Sequence, residues 1–599
     1  MEVKERIARL RALMKAKNID VYYIPNGDDH LSDEYTADYF KCKSWMSGFS
    51  GESGCTIVTE KFAGLWTDGR YFTQAEDELK GTGVELMRMR QEGVPDPLDF
   101  LVSETPENGV LGFDGKVVSV SAAKHLAKQL AEKNAVIKMD EDLAGMVWGD
   151  ERPPMPKEKI FVLAKKYTGE SAEERIARVR EEMKKNGADV LILTALEDPC
   201  WMLNIRGNDI ECTPVVYAFA MVTMRKVYYY ADAVKITPKT GKYLADAGVT
   251  VKPYNGLEKD LKKLKNKTIW ANLRQLNAYL ESLIDASNTI KNAPSPVGMF
   301  RAVKNKTEMK CLRNAHVKDG VAMVRFIKWV KENIGKIPMS EISAEDHLYE
   351  LRAEGKDYIE PSFPTISAYK GNAAMMHYSA SPETNAQLSP EGFLLVDSGG
   401  TYKDGTTDIT RTIALGPLSD DEKRYYTLVL KGHLALANAR FLYGTTGQNL
   451  DILARGPLWN IDIDYQCGTG HGVGHVLSVH EGPQSVGWGF TRMRPAVKLE
   501  EGMIVTDEPG VYLPRELGVR IENELLVRKG TKNFYGQFMY FENVTYCPYE
   551  PDAIDVSLLN EDEIRQINEY HSAVYDILSP YLDAQDQEWL KKETRRIGK

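Results

Sequence analysis

Between His377 and Glu522 this 599-residue chain gathers side chains that can ligate cations and move protons. Asp397 ends the apolar run Leu394-Leu395-Val396, and Asp408 lies in Thr407-Asp408-Ile409-Thr410-Arg411. His471 and His475 share the glycine-rich stretch Gly470-His471-Gly472-Val473-Gly474-His475, and His480 follows closely. Glu508 sits in Thr506-Asp507-Glu508-Pro509-Gly510, and Glu522 in Arg520-Ile521-Glu522-Asn523. Four carboxylates and one imidazole suit a pair of hard divalent cations, because oxygen-rich ligation favours manganese- or cobalt-type sites over the sulfur and imidazole sets of structural zinc. Two cations ~3.5–4 Å apart can share bridging carboxylates and a bridging hydroxide, the apparatus of hydrolysis. The candidates spread over residues 397–522, so spacing alone does not define a site. Taken singly, each carboxylate reads as a solvated or capping group.

Short strands must position these groups. Residues 393–396 form an apolar run and residues 406–413 alternate, with Tyr402-Lys403-Asp404-Gly405 as a hairpin turn signal between them. Such a hairpin brings Asp397 and Asp408 onto neighbouring strands. Further strands are expected at 503–506 and 519–527. Upstream, Leu312, His316, Gly320, Val324 and Ile327 recur at helical spacing. His433, in a helix expected over 428–439, reads as structural, as does His475. The polar, helix-prone tail 561–599 carries Tyr570, Val574, Leu578 and Leu582 as an apolar stripe able to dock.

Two proline clusters, Arg152-Pro153-Pro154-Met155-Pro156 and Pro294-Ser295-Pro296, divide the chain into domains of residues 1–155, 156–297 and 298–599. The first two repeat one pattern. Glu5-Arg6-Ile7-Ala8-Arg9-Leu10-Arg11 returns as Glu174-Arg175-Ile176-Ala177-Arg178-Val179-Arg180, and at the same offset Met14 matches Met183 and Asp20-Val21 matches Asp189-Val190. Each copy reads as an amphipathic helix, a short apolar strand, then a loop reaching Trp45 or Trp201. This is an α/β unit made twice.

A hydrophobic share of 43% with 27% charged residues is that of a soluble globular protein. The net charge of −10 leaves no basic excess for nucleic acid. The N-terminus lacks the apolar core of a signal peptide. The longest apolar run, 215–222, is too short to cross a bilayer and reads as a buried strand, so no membrane partner is expected. Seven scattered cysteines without a CxxC pair read as reduced thiols of a cytoplasmic protein.

Five stretches, in order, resemble the metal-binding motifs of the pita-bread metallopeptidases, the family of methionine aminopeptidase, prolidase and aminopeptidase P. They are Val396-Asp397-Ser398-Gly399, Asp404-Gly405-Thr406-Thr407-Asp408-Ile409-Thr410-Arg411, Gly468-Thr469-Gly470-His471-Gly472-Val473-Gly474, Asp507-Glu508-Pro509-Gly510 and Arg520-Ile521-Glu522-Asn523. The wording is most similar to cytosolic-type Xaa-Pro aminopeptidases, and the duplicated N-terminal region matches their three-domain form. The resemblance implies two creatinase-like α/β domains followed by a pita-bread catalytic domain, an α/β and α+β chain overall. It implies that Asp397, Asp408, His471, Glu508 and Glu522 hold two divalent cations, manganese first and cobalt or zinc as alternatives. It implies a homodimer that cleaves peptides with proline in second position by attack of a metal-bridging hydroxide. Glu508 would then act as general base and acid, with His377 and His480 at the substrate carbonyl or tetrahedral intermediate. Arg520 and Cys467 are placed at the substrate pocket.

One departure stands out: these relatives carry a histidine four residues before the ligand histidine, where this chain has Cys467. A thiol can fill that space and donate weakly, but it cannot act as a cationic acid. Two other readings stay open. Prolidase uses the same ligands on dipeptides, but such chains have a single N-terminal domain. Non-catalytic binding modules of this fold, such as the large subunit of the FACT histone chaperone, lack the ligand set.

Overall fold

The helices Val3–Ala16 (α1) and Ala172–Lys185 (α2) bury one face each, Ile7, Leu10 and Met14 in the first and Ile176, Val179 and Met183 in the second. These are the positions that the repeat aligns. The computed structural model describes residues 1–32, 34–488 and 496–598. They fall into two units, Met1–Leu163 with Glu170–Val297, and Ala164–Gly169 with Gly298–Lys599; Lys599 itself, the last residue of the expected tail, lies outside the described residues.

The first unit holds two sheets of one topology. Val21–Pro25 (β1), Cys55–Thr59 (β2), Ala63–Thr67 (β3), Glu85–Arg88 (β4), Val110–Phe113 (β5) and Val136–Lys138 (β6) lie in the order β4-β3-β2-β1-β5-β6. Val190–Leu193 (β7), Phe219–Thr223 (β8), Val227–Tyr230 (β9), Val249–Lys252 (β10), Thr268–Ala271 (β11) and Thr289–Asn292 (β12) lie in the order β10-β9-β8-β7-β11-β12. In both, the central strand pairs antiparallel with the next strand in sequence and parallel with the fifth. The likeness extends to single contacts. Arg6 lies over the Trp45 ring at 4.6 Å, and Arg175 lies over the Trp201 ring at 3.9 Å and donates to the Trp201 carbonyl. The apolar run 215–222 is only partly strand, since β8 starts at Phe219. Residues 215–218 are buried but irregular, because the Tyr217 N–H donates to Asp209 Oδ2 rather than to a neighbouring strand.

In the second unit the long helix Lys306–Asn333 (α3) buries Leu312, His316, Gly320, Val324 and Ile327, as its spacing predicts. Asn305 and Glu308 close its start as a capping box. Small sheets follow, two of which frame the site. Ile366–Tyr369 (β13), Phe393–Ser398 (β14) and Ile409–Ala414 (β15) form one. Arg440–Leu442 (β16), Gly536–Asn543 (β21), Asn523–Asn533 (β20) and Ile504–Asp507 (β18) form the other, in that order. Gly470–Gly472 (β17) and Leu517–Arg520 (β19) belong to two-stranded pairs. The helix Asp420–Ala437 (α4) carries His433, and the tail forms Glu561–Leu578 (α5). Val574, Leu578 and Leu582 join the core around Val324 and Ile327. The stripe therefore docks within its own unit.

Among the described residues, no helix is long and apolar enough to cross a membrane.

Candidate metal centre

Every candidate ligand sits at a strand end or a break. β14 pairs antiparallel with β15, Asp397 opposite Thr410 and Ser398 opposite Ile409. The expected strand 406–413 is split: Gly405–Thr406 pairs with Gly400–Tyr402, and Thr407 and Asp408 lie between that small hairpin and β15. The cause is a close crossing. A Cβ on Gly399 would stand 1.8 Å from the Thr407 carbonyl, whose oxygen accepts from Ser362 Oγ at 2.8 Å. The expected strand 519–527 is also split. Asp507 pairs with Asn523 and Gly510 with Arg520, so Glu508-Pro509 and Ile521-Glu522 face one another across a gap in the ladder. Glu508 and Glu522 occupy that gap. β17 brings His471 against it, since Gly470 has no Cβ to strike the Thr506 carbonyl 1.9 Å away, and the His471 N–H donates to Thr506 Oγ1 at 3.0 Å.

Ligand atoms of Asp408, His471 and Glu522 lie within 4.8 Å of one another. His471 Nε2 is 3.4 Å from Asp408 Oδ2 and 3.4 Å from Glu508 Oε1. The other ring nitrogen, Nδ1, donates to the Gly472 carbonyl at 3.0 Å, which leaves Nε2 as the nitrogen facing the carboxylates. Thr410 Oγ1 donates to Glu522 Oε2 at 2.8 Å, and Thr506 Oγ1 to Glu508 Oε1 at 2.9 Å. Arg520 Nη2 and Nε donate to Asp397 Oδ2 at 2.6 and 3.1 Å, and Nε also approaches Thr410 Oγ1 at 3.1 Å. All five sequence-predicted ligands thus belong to one connected cluster.

The electrostatics are those of a cation site. Asp397 Oδ1 and Glu522 Oε1 are buried with no hydrogen-bond partner. Burial and the neighbouring carboxylates Asp397 and Glu508 push Asp408 up to about 6 against the pull of His471, and burial with the charges of Asp408, Glu508 and Asp397 holds Glu522 well above the ordinary range. Burial lowers the His471 imidazole, but its hydrogen bond to Asp408 and the Glu508 and Asp408 charges outweigh this and raise it to about 9. Buried carboxylates this close repel one another unless positive charge lies among them. The orphaned oxygens fit divalent cations as the missing partners.

The His480 ring stands edge-on to His471, centroids 4.1 Å apart. His377 follows Met376, whose carbonyl accepts from Arg520 Nη2 at 3.3 Å. Arg520 is buried and its donors turn to Asp397, Thr410, Met376 and the Tyr512 hydroxyl at 2.6 Å, so it steadies the Asp397 carboxylate. Cys467 is half-buried beside the cluster of Tyr465 and Tyr512, and its carbonyl accepts from Arg455 Nη2 at 2.7 Å. His475 Nε2 meets the Tyr167 carbonyl at 3.0 Å. His433 lies behind Glu508, 3.2 Å from Asp507 Oδ2 and 3.0 Å from the Tyr549 hydroxyl. Sequence reading missed Thr410 and Thr506: Thr506 bonds the carboxylate two residues on, but Thr410 bonds Glu522, a tertiary contact that no local spacing shows.

Residues 6–146 and 151–308 match models of the creatinase/prolidase N-terminal domain, 310–529 matches metallopeptidase family M24, and 537–597 the C-terminal region of peptidase M24. A probable Xaa-Pro aminopeptidase P of Laccaria bicolor is 39% identical over 98% of this chain and 93% of its own length. The chain belongs to the Xaa-Pro aminopeptidases of metallopeptidase family M24. Aminopeptidase P1 of Arabidopsis thaliana is 36% identical over the whole of both chains. The crystal structure of X-prolyl aminopeptidase from Caenorhabditis elegans, described as a cytosolic enzyme with a di-nuclear active site, covers all of both chains at 32% identity with a TM-score of 0.95. Both creatinase-type N-terminal domains and the pita-bread domain expected from the sequence are therefore present.

Proposed function

We propose that this chain is a metal-dependent aminopeptidase that releases the first residue of peptides carrying proline in second position. The single observation that carries this reading is the buried carboxylate cluster with unpartnered oxygens at Asp397 and Glu522, in a chain similar to Xaa-Pro aminopeptidases along its full length. Asp397, Asp408, His471, Glu508 and Glu522 would hold two divalent cations, manganese by the oxygen-rich donor set. Bound there, the cations would make hydroxide available near neutral pH and polarise the scissile carbonyl.

The protein's own groups do the rest. Glu508, oriented by Thr506, takes the proton of the attacking water and returns it to the leaving proline nitrogen. His480 and His377 donate to the oxygen on which charge develops. An X-Pro bond has no N–H, so strand-type recognition fails there and a dedicated pocket is needed. Cys467 lies near this pocket as a space-filling group. The fold reads as domains 1–155, 156–297 and 298–599. The cytoplasmic location rests on the composition and on the description of the Caenorhabditis relative, and the homodimer on the family resemblance alone.

Assay of an X-Pro dipeptide beside an X-Pro-Y tripeptide with added manganese tests the reading. Cleavage of the tripeptide is expected; cleavage of the dipeptide alone would make the chain a prolidase. Absence of both, with no metal in the purified protein, would make it a binding module. Light scattering after gel filtration measures the oligomeric state.

A further inference from the structure

Arg411 is buried and uses its whole guanidinium on oxygen atoms. Nη1 donates to the carbonyls of Thr410 and Glu522, both at 2.8 Å. Nη2 donates to Asn523 Oδ1 and the Cys547 carbonyl, each at 2.8 Å, and to the Tyr570 hydroxyl at 3.0 Å. Nε donates to the Pro548 carbonyl at 3.0 Å. One planar cation thus ties the break that carries Glu522 to the segment 547–548 and to α5, more than 100 residues apart in sequence from Arg411.

The break needs such a tie. At Ile521-Glu522 the chain leaves its pairing with the strand Gly510–Leu513 and has not yet begun its pairing with β18, and across the gap, among the described residues, only a long hydrogen bond from the Ile521 N–H to the Pro509 carbonyl, 3.4 Å, joins the facing segments. β15 supplies the replacement. Thr412 Oγ1 donates to the Arg520 carbonyl at 2.8 Å, the Glu522 N–H donates to the Thr410 carbonyl at 3.1 Å, and Thr410 Oγ1 orients the carboxylate itself. Arg411 holds the remaining main-chain group of Glu522, its carbonyl. Tyr570 in turn holds Arg411: its hydroxyl lies 2.8 Å from the Cys547 carbonyl and 3.0 Å from the Thr545 carbonyl, and its ring stacks on Tyr549 at 4.5 Å.

We infer that Arg411 is the positioning residue of the Glu522 ligand and that the C-terminal segment, through Tyr570, is part of the metal centre's support. This rests on the reading of Glu522 as a ligand. Outer partners of metal ligands typically govern about 10- to 100-fold in affinity or activity. A lysine at 411 supplies three donors on a flexible stem and cannot bridge Glu522, Asn523 and the tail at once.

The test is calorimetric titration of the metal-free full-length protein with manganese alone, beside kcat and KM on an X-Pro-Y tripeptide. Arg411→Lys is expected to weaken manganese binding by about 10- to 100-fold and to lower kcat more than KM. Tyr570→Phe keeps the ring and removes only the hydroxyl, so it should fold and show a smaller loss in the same direction. Glu522→Gln is run alongside. If Glu522→Gln binds manganese like the parent, the ligand reading itself fails. If Glu522→Gln loses manganese while Tyr570→Phe, and Arg411→Lys where it folds, keep parental affinity and kcat, the support role is overturned and Arg411 is a core residue only.

Discussion

Buried carboxylates in two regions of the protein differ in one respect. In the first unit Asp28 and His30 lie between the two α/β copies, fully out of solvent. Asp28 Oδ1 accepts from the N–H groups of His30 and Ser32, both at 2.9 Å, and Oδ2 accepts from the Tyr217 hydroxyl at 2.8 Å. His30 Nδ1 donates to the Thr194 carbonyl at 2.6 Å, so Nε2 accepts from the Tyr254 hydroxyl at 2.9 Å, and the ring stacks on Phe219 at 3.9 Å. In the second unit Asp397 Oδ1 and Glu522 Oε1 have no protein partner at all. Raised proton affinity does not separate the clusters: burial pushes Asp28 up to about 6, the same value as Asp408. Saturation of hydrogen bonding does. A satisfied buried carboxylate joins two surfaces, whereas an unsatisfied one needs a partner the chain does not supply.

Breaking the unsatisfied cluster should have the largest effect on turnover. Asp397→Asn or Glu522→Gln removes one negative charge with little change of volume. Either change is expected to lower kcat/KM for an X-Pro-Y peptide by more than about a thousandfold, because activation of water by the cations is lost. The metal-free Glu522→Gln variant should be at least as stable as the parent, since one repelling charge is gone, whereas Asp397→Asn should be less stable because it strips buried Arg520 of its counter-charge. Manganese at about 100 times its dissociation constant should stabilise the parent by about 2.7 kcal/mol, and the Glu522→Gln variant by much less. Activity within tenfold of the parent in either variant would show the assignment to be wrong.

His480→Ala comes next. It removes a ring that stands edge-on to His471 but is not among the five ligands. Loss of one donor to a developing oxyanion costs ~10²–10³ in rate. The expected outcome is a fall in kcat of that order with metal content unchanged, measured by elemental analysis of the same preparation. A parallel loss of metal would make His480 a ligand.

The satisfied cluster should respond in stability instead. Asp28→Asn turns one acceptor into a donor facing Tyr217, at a cost of about 1–3 kcal/mol, and should leave turnover nearly untouched. The pH dependence sharpens the contrast. Asp28 and Asp29 are both raised to about 6 by burial, so the folded protein takes up these protons before the unfolded chain does. Stability from each therefore rises as pH falls from about 6 towards 4, by up to about 1.4 kcal/mol per pH unit. Asp28→Asn should abolish its share, so the calorimetric gap between variant and parent should be wider at pH 5 than at pH 7.5. A gap independent of pH would remove Asp28 from the titrating set.

Much of this was legible in the chain itself, for identifiable reasons. The duplication showed because Ile7, Leu10 and Met14 and their counterparts each face a core, and the pattern extends to the Arg6–Trp45 and Arg175–Trp201 pairs. The candidate ligands showed as five local motifs. The breaks at Asp408 and Glu522 did not, since Val519, Ile521, Leu525 and Val527 alternate straight through the gap and the Gly399–Thr407 crossing is a tertiary contact. Nor could the sequence tell Asp28 from Asp397. The partner that satisfies Asp28 is Tyr217, on the other copy of the repeat. The tail stripe was legible as apolar, but the surface it covers, the Val324 and Ile327 core, was not.

The smallest effect is expected at Cys467. Its main chain is fixed independently of its side chain: the carbonyl accepts from Arg455 Nη2, and Arg455 is itself held by Asp451 Oδ2 at 2.7 Å and Asp464 Oδ1 at 2.7 Å. The thiol is half-buried beside Tyr465 and Tyr512, a place where a serine fits and a larger imidazole has an outlet to solvent. Cys467→Ser should therefore keep most of the activity, and Cys467→His should be tolerated. Mild alkylation offers an independent reading, because Cys55, Cys200, Cys212 and Cys547 are buried and burial raises the thiols of the half-buried Cys42 and Cys311, which slows both. Tripeptide cleavage lost in step with labelling of Cys467, and protected by a substrate analogue, would place the residue in the pocket as a space-filling group. Loss of turnover in Cys467→Ser with both metals still bound would instead give the thiol a chemical role, since the serine preserves size and main-chain position and removes only the sulfur.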